Sequence, residues 1–480
     1  MTHEEALLEG VRNGRKLSVR ERMSLVFRLS LPAMMAEVSA IIMQYIDAAM
    51  VGRLGAGAAA SIGLVSSTIW LFWGMSRMTI VGFSIQTGQE IGARRYERAR
   101  SIMKQGFAIT LGLSLLAGLL GAAISSRLPF WLGGSTDLSA IAPDATRYFL
   151  VIALTLPLYE LNYLACDMLQ ASGNMRLPSA LNILACFLDV VFNALLIFPS
   201  RIVHLGSHAL SVPGAGLGVT GAALGTVGAL GVSAIVGAWF LLMRSDKLHL
   251  RAGEPLRFSK AVINRAIRIS TPVAFETLTM RAAYIAFTCI VAPLGAISIA
   301  ANSFAVTAEG LCYMPGYGIG AASTALVAQS VGAKRRGLAK DFAWISTAMG
   351  VVVMTITGAT MFFIAHWMMA LLTPDPAIQD LGAEVLRIEA LAEPLFAVSI
   401  VAAGALRGAG DTLVPSLLNI ISVWCVRVPV AAFLAARIGL RGAWIAMASE
   451  LCVRGLFMLA RLWNGAWLRN LKKPRYASVA

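Results

Sequence analysis

The run ACFLDVVFNALLIF, residues 185–198, contains twelve apolar side chains and two polar ones, Asp189 and Asn193. Four residues apart on a helix, the carboxylate and the amide share one face, a turn from each other. An ionised aspartate at mid-bilayer costs about 2.5–3.5 kcal/mol even on the lenient insertion scale. A carboxyl kept there must hold a cation, meet a basic partner or carry a proton. The plainer use of such a pair is an interhelical hydrogen bond that fixes packing. Asp47 is a second acid in an apolar run, and Glu37 lies ten residues before it. That spacing is close to three helical turns, so the two can share a face. Further along, Glu276, Arg281, Glu309, Glu389, Glu393 and Arg427 fall within apolar stretches. They can line a cavity or pair internally. Glu276 and Arg281, five residues apart, need partners on other helices. Glu160 and Asp167 add acids, with Arg77 as a candidate counter-charge.

These residues need a membrane-spanning frame to hold them. Of 480 residues 58% are hydrophobic and only 14% charged, which a soluble chain of this size does not tolerate. Apolar stretches long enough to cross a hydrocarbon core of about 30 Å recur throughout. Twelve spans are predicted, at about 30–53, 58–86, 105–126, 145–171, 177–199, 218–243, 267–292, 298–328, 342–367, 380–406, 413–437 and 440–463. The fold class is an all-α polytopic membrane protein.

The net charge of +15 is a topology signal. The N-terminal segment, alternate loops and the tail after 460 carry 29 of the 40 basic residues; the opposite loops carry 6 and the spans 5. By the positive-inside rule the basic side is cytoplasmic, and both termini with it. Anionic lipid headgroups suit that face; nucleic acid has no support as a partner. Residues 1–25 are polar and lack the apolar stretch of a cleavable signal peptide. The six cysteines sit in apolar runs without a CxxC and read as small hydrophobes. There is no GxxxxGK[ST] phosphate loop, and no nucleophile–base or metal-spaced cluster within the spans. An enzyme is not expected.

The two halves are copies. LPAMMAEV at 31 answers TPVAFETL at 271, RLGAGAAA at 53 answers PLGAISIA at 293, and QEIGARR at 89 answers QSVGAKR at 329, all at one offset of 240. PLYELNYLACDMLQASGNMRLPSALNI (157–183) answers PLFAVSIVAAGALRGAGDTLVPSLLNI (394–420) at an offset of 237. With six spans each, the copies run the same way and are related by a pseudo-two-fold axis along the membrane normal. The expected division is a cytoplasmic segment 1–25, an N-lobe 26–243, a linker 244–266, a C-lobe 267–463 and a basic tail 464–480.

Pro32, Asp47 and MVGRLG (50–55), the Q-x-x-GA motifs closing spans two and eight, and LQASGN…P and LRGAGD…P after spans four and ten resemble the MATE family (multidrug and toxic compound extrusion). The resemblance covers about residues 25–465. It implies an antiporter that exports amphipathic, mostly cationic organic compounds in exchange for H+ or Na+, by alternating access of a cleft between two lobes. It also implies an N-lobe cation site at Asp47, Asp189, Asn193 and Thr226, with Na+ a candidate ligand of the first three. The family's usual order in span five is Asn then Asp; here it is reversed, which moves the charge one turn. One branch of the family places carboxylates in spans seven and ten; those positions fall on Met280 and Phe396. The chain therefore resembles the DinF-like branch, which couples through the N-lobe. No cofactor is implied. The expected setting is a bacterial inner membrane, and the expected state a monomer. A flippase for a lipid-linked precursor is the alternative, supported thinly by Arg281 and Arg427. The Met and aromatic residues can pack or line an adaptable cavity.

Overall fold

The computed structural model describes residues 3–133, 141–205, 208–251 and 254–468. Among them the helices line up as twelve rods. The first six are Val19–Gly52, Ala56–Gly92, Tyr96–Ile124, the pair Ala142–Leu154 and Leu156–Ala171, Arg176–Leu196, and Gly218–Trp239 continued by Phe240–Arg244. The second six are Lys260–Val291, Ala296–Gly332, Arg336–Leu372, the pair Pro376–Ala390 and Glu393–Gly408, the series Leu413–Ser422, Val423–Arg427 and Val428–Ile438, and Leu440–Trp463. They are called spans one to twelve below.

Eight of these helices are by themselves long and apolar enough to cross a membrane, nine if the bent pair of span four counts as one. Span eight, 37 residues long, and the broken span ten are not among them. Span eight shows why: its second half is rich in Gly, Ser and Gln, and most of it is buried against other helices. Its small residues buy close approach at the cost of apolar surface.

The duplication is visible in the backbone. Gly55 and Gly295 take φ of 104° and 94°, Arg94 and Lys334 take 61° and 59°, and Gly173 and Gly410 take 93° and 85°. Each pair is related by one of the two sequence offsets. Pro157 and Pro394, also equivalent, open the second helix of spans four and ten, where a proline needs no N–H partner. The two helices of span four meet at 46°. Span eleven is interrupted by a π-helical turn, Val423–Arg427, just before Pro429.

Three regions depart from the expected map. Span one starts at Val19, eleven residues before the expected edge, with Ser18 and Glu21 closing a capping box. Its first turns are held by Arg22, which donates to Asp341 at 2.6 Å. The connector after span five is an antiparallel hairpin, Pro199–Leu205 with His208–Ala215, where a loop was expected. The N-terminal segment contains a helix, His3–Arg12. Most of the tail expected at 464–480, and the side chain of Arg77, lie outside the described residues.

The halves meet mainly at the end that carries the termini. Gln89 of span two donates to the Gly408 carbonyl (3.1 Å), and Gln329 of span eight to that of Ala171 (2.8 Å). A Cβ on Gly92 would stand 2.1 Å from the Gln329 carbonyl oxygen, and one on Gly332 would stand 1.8 Å from that of Gln89. Only glycine fits either place. The same end holds Gly82 N–H on Ser270 Oγ (3.0 Å) and Gln86 on the Val262 carbonyl (3.2 Å). The linker is tied down beside it, with Arg100 donating to Glu254 at 2.9 Å.

Candidate functional site

Spans one, five and six bring the expected N-lobe residues together. The Asn193 amide donates to Asp47 Oδ1 at 2.9 Å and to Asp189 Oδ2 at 3.1 Å. Asp189 and Asn193 are each 1% exposed, whereas Asp47 is half-buried. The remaining Asp189 oxygen, buried, has no hydrogen bond of ordinary length; the Asp47 carboxyl and the Thr226 hydroxyl face the group. Tyr148 of span four stands within electrostatic reach of both acids.

Local sequence explains this convergence. Asp189 and Asn193, a turn apart, fall on the buried face of span five with Leu181 and Ala185. Span six approaches that face through glycines. A Cβ on Gly221 would sit 2.4 Å from the Leu196 carbonyl oxygen, and one on Gly225 would sit 2.1 Å from Asn193 Oδ1. Gly225 thus leaves room for the amide that bridges the two acids.

Charge decides what the cluster can do. Two carboxyls bridged by one neutral amide carry more negative charge than their donors compensate. Among the described residues no Arg or Lys forms an ion pair with either. A proton or a small cation completes such a set chemically. The described residues contain no group of three His, Cys, Asp or Glu side chains arranged for a metal ion; the cluster offers two carboxyls, an amide and a hydroxyl.

Beside Thr226 runs a cavity lined by Trp73, Thr155, Leu158, Tyr159 and Val227. The Trp73 ring stacks on Tyr159 with centroids 4.8 Å apart and planes within 4°, and Tyr159 meets Tyr163 at 4.5 Å. Trp70 packs edge-on against Trp73, and the Arg281 guanidinium lies 5.4 Å over the Trp70 ring. A cation already rests on this aromatic wall, supplied by the other half.

The second-half residues divide into two kinds. Glu276 is fully engaged: Arg407 donates to both oxygens at 3.0 Å, and Ser416 and Asn419 donate at 2.6 Å each. Arg427 is bound to Glu450 of span twelve, with Nη2 2.7 Å from Oε2. Arg454 grips the same carboxylate at 2.7 Å, and Ser422 donates to it. Arg427 and Arg281 therefore form no shared basic cavity. By contrast Glu309, Glu389 and Glu393 are buried within mutual electrostatic reach, each with oxygens that lack hydrogen bonds. Glu37 faces Tyr317 of span eight, and ten residues of helix put it about 15 Å from Asp47 along the axis. It does not join the cluster. Glu160 is buried in span four, and Asp167 sits where its carbonyl accepts from Ser84.

Glu450 and Arg454 escaped the sequence reading, although their four-residue spacing is a legible helical ion pair. Arg407, in the LRGAGD motif placed after span ten, lies in the last turn of that span and turns inward onto Glu276.

Comparison with known sequences decides the family. The MatE pattern matches residues 32–195 and again 272–433, more than half of the chain and once per half. The chain belongs to the MatE family. As a MatE protein it is a multi-pass membrane transporter and not an enzyme. Among similar MatE relatives, the Thermotoga maritima protein called probable multidrug resistance protein NorM is 25% identical over 453 residues, covering 92% of each chain. The Pseudomonas aeruginosa multidrug resistance protein PmpM is 24% identical over 464 residues, covering 94% of this chain and 93% of its own. The fold matches that of the Vibrio cholerae MATE transporter VcmN with a TM-score of 0.85 at 17% identity, over 94% of this chain and 99% of that one. The twelve-helix, two-lobe MatE architecture is thus the one this duplicated sequence builds.

Proposed function

We propose that this MatE transporter exports amphipathic, mostly cationic organic compounds in exchange for H+ or Na+, and that coupling runs through Asp47, Asp189, Asn193 and Thr226. The observation that carries the reading is the pair of carboxyls held by one amide inside the N-lobe without an ion-pair partner among the described residues. The guanidinium of Arg281 over the Trp70 ring, at the edge of this aromatic group, is the kind of contact a cationic cargo would make. The multidrug names of the NorM and PmpM relatives point the same way. In the proposed cycle a proton or Na+ reaches the acids from outside, the N-lobe rearranges and cargo leaves; release of the ion inward resets the cleft. The basic ends are cytoplasmic in this reading, the membrane is the bacterial inner membrane and the working unit is one chain.

The energetics suffice without ATP. One net charge moving inward through 100 mV releases about 2.3 kcal/mol, which sustains a gradient of a neutral cargo of about fortyfold at 1.4 kcal/mol per decade. For a monovalent cationic cargo a one-for-one exchange is electroneutral, and the ion's own concentration gradient or a second ion supplies the drive. The test uses purified protein in liposomes loaded with a fluorescent cationic dye. A pH gradient and a Na+ gradient are imposed separately on wild type and Asp189→Asn. Dye movement under one gradient, lost in the variant, is the expected result. Undiminished gradient-driven movement in the variant would reduce Asp189 to a packing residue.

A further inference from the structure

The helix His3–Arg12 lies across the seam where the halves meet. Its sequence, HEEALLEGVR, has acids in the first turn and Arg12 in the last, as the helix dipole favours. Leu7, Leu8 and Val11 share one face and are almost wholly buried. They pack in a cluster containing Met175 of the first half and Leu326 and Val327 of the second. Leu8 fills the space left by Gly173, where a Cβ would stand 2.5 Å from its Cδ1.

The polar contacts also go to both halves. Glu4 pairs with Arg176 at 2.7 Å and Glu9 with Arg94 at 3.4 Å, both in the first half. Arg335 of the second half donates to the carbonyls of Gly10 (3.3 Å), which also accepts from the Arg15 N–H, and Val11 (3.2 Å), both at the helix end. Arg12 joins the two: it donates to the Ser172 carbonyl at 3.2 Å and to Gln329 Oε1 at 2.8 Å. Gln329 is itself a seam residue, so Arg12 braces the inter-half bond it makes to Ala171.

We propose that the helix His3–Arg12 is a latch: docked on both lobes, it holds this face shut and must let go of one lobe before the face can open. The inference rests on the alternation of the two lobes and reaches beyond it, to the element that sets how often this face is open. A helix anchored to one lobe alone would ride with it and leave the equilibrium untouched. One anchored to both opposes separation.

The test measures distance, not transport. Spin labels at Glu97→Cys and Lys340→Cys, exposed positions on the two lobes at this face, are placed in full-length protein with the six native cysteines replaced. Distance distributions in liposomes are compared for this background, Arg12→Ala, Leu8→Asp and, as a control, Arg257→Ala on the exposed linker. Hydrogen bonds from a charged donor are strong enough that losing both arms of Arg12 should raise the separated population about tenfold, with the control unchanged. Arg12→Ala removes only contacts at the helix end and serves if Leu8→Asp fails to fold. Unchanged distances in both variants would overturn the latch, including where thermal stability falls, since that makes the helix a packing element. If the background itself never separates at this face under any gradient, the latch and the alternation are overturned together.

Discussion

On the repeat, Asp47 of the first lobe corresponds to Phe287 of the second, and Asp189 to Val426. Phe287 is a core side chain, packed with Ala301 and Ala305. Where the first lobe holds acids, the second holds hydrocarbon. The two lobes also answer their acids differently. Asp47 and Asp189 receive an amide and face a hydroxyl, whereas Glu276 and Glu450 receive arginines. Neutral donors orient a carboxylate without cancelling its charge. Arginine does both, and leaves nothing for a mobile ion to do. On the proposed function, the same fold leaves the Asp47–Asp189 pair responsive and fixes Glu276 and Glu450; Glu309, Glu389 and Glu393 of the second lobe, which no arginine clamps among the described residues, stand outside this contrast.

The most damaging way to break this contrast is to neutralise the responsive side. Asp189→Asn or Asp47→Asn should abolish gradient-driven dye movement, a loss of tenfold or more by the rule that one decade is about 1.4 kcal/mol, while the purified protein keeps its melting temperature. The fixed side should show the opposite pattern. Glu450→Ala strands the buried Arg454 and the partly buried Arg427 and should cost about 3–5 kcal/mol of stability, read as a large drop in thermal unfolding in detergent. The folded fraction should still move dye.

Two smaller changes sharpen the comparison. Gly225→Ala presses a methyl onto the Asn193 amide and should cost about 1–3 kcal/mol; it should also slow dye movement. The equivalent crowding at Gly228, which a Cβ would place 3.2 Å from the adaptable Phe192 ring, should be milder in both measurements. Smallest is the linker tether. The Arg100 guanidinium holds the Glu254 carboxyl down to about 2, below its usual range. A carboxyl depressed in the folded state contributes stability above its unfolded pKa, and loses it as pH falls through the folded value. Wild type should therefore exceed Glu254→Gln in melting temperature by a constant small margin from pH 5 to 8, narrowing below about pH 4.5.

Hydropathy made the twelve spans legible, because lipid punishes any other arrangement of so much apolar chain. Asp189 and Asn193 were legible for the same reason, as polar groups where polar groups are costly. That Asp47 and Thr226 would meet them came from the family resemblance, since no single-chain periodicity relates residues more than thirty positions apart. The clamps on Glu276 and Glu450 were not legible as clamps. Which arginine answers which acid depends on helix rotation and depth, and Arg407 sits in a motif that reads equally well as a loop. Likewise Leu7, Leu8 and Val11 have the spacing of an amphipathic helix, but ten residues among charged neighbours give hydropathy nothing to mark.

The glycines at the seam have a mechanical consequence. Spans two and eight are each 37 residues long, about 55 Å at the helical rise. They cross almost at their tips, with Gly92 on the Gln329 backbone and Gly332 on that of Gln89. A rod pivoted near one end is a long lever. Tilting either by about 10° around the glycines leaves that contact nearly still and carries the far tip about 9 Å. Movement too small to unseat a hydrogen bond at the fulcrum thus becomes, at the opposite mouth, a gap the width of an organic cation.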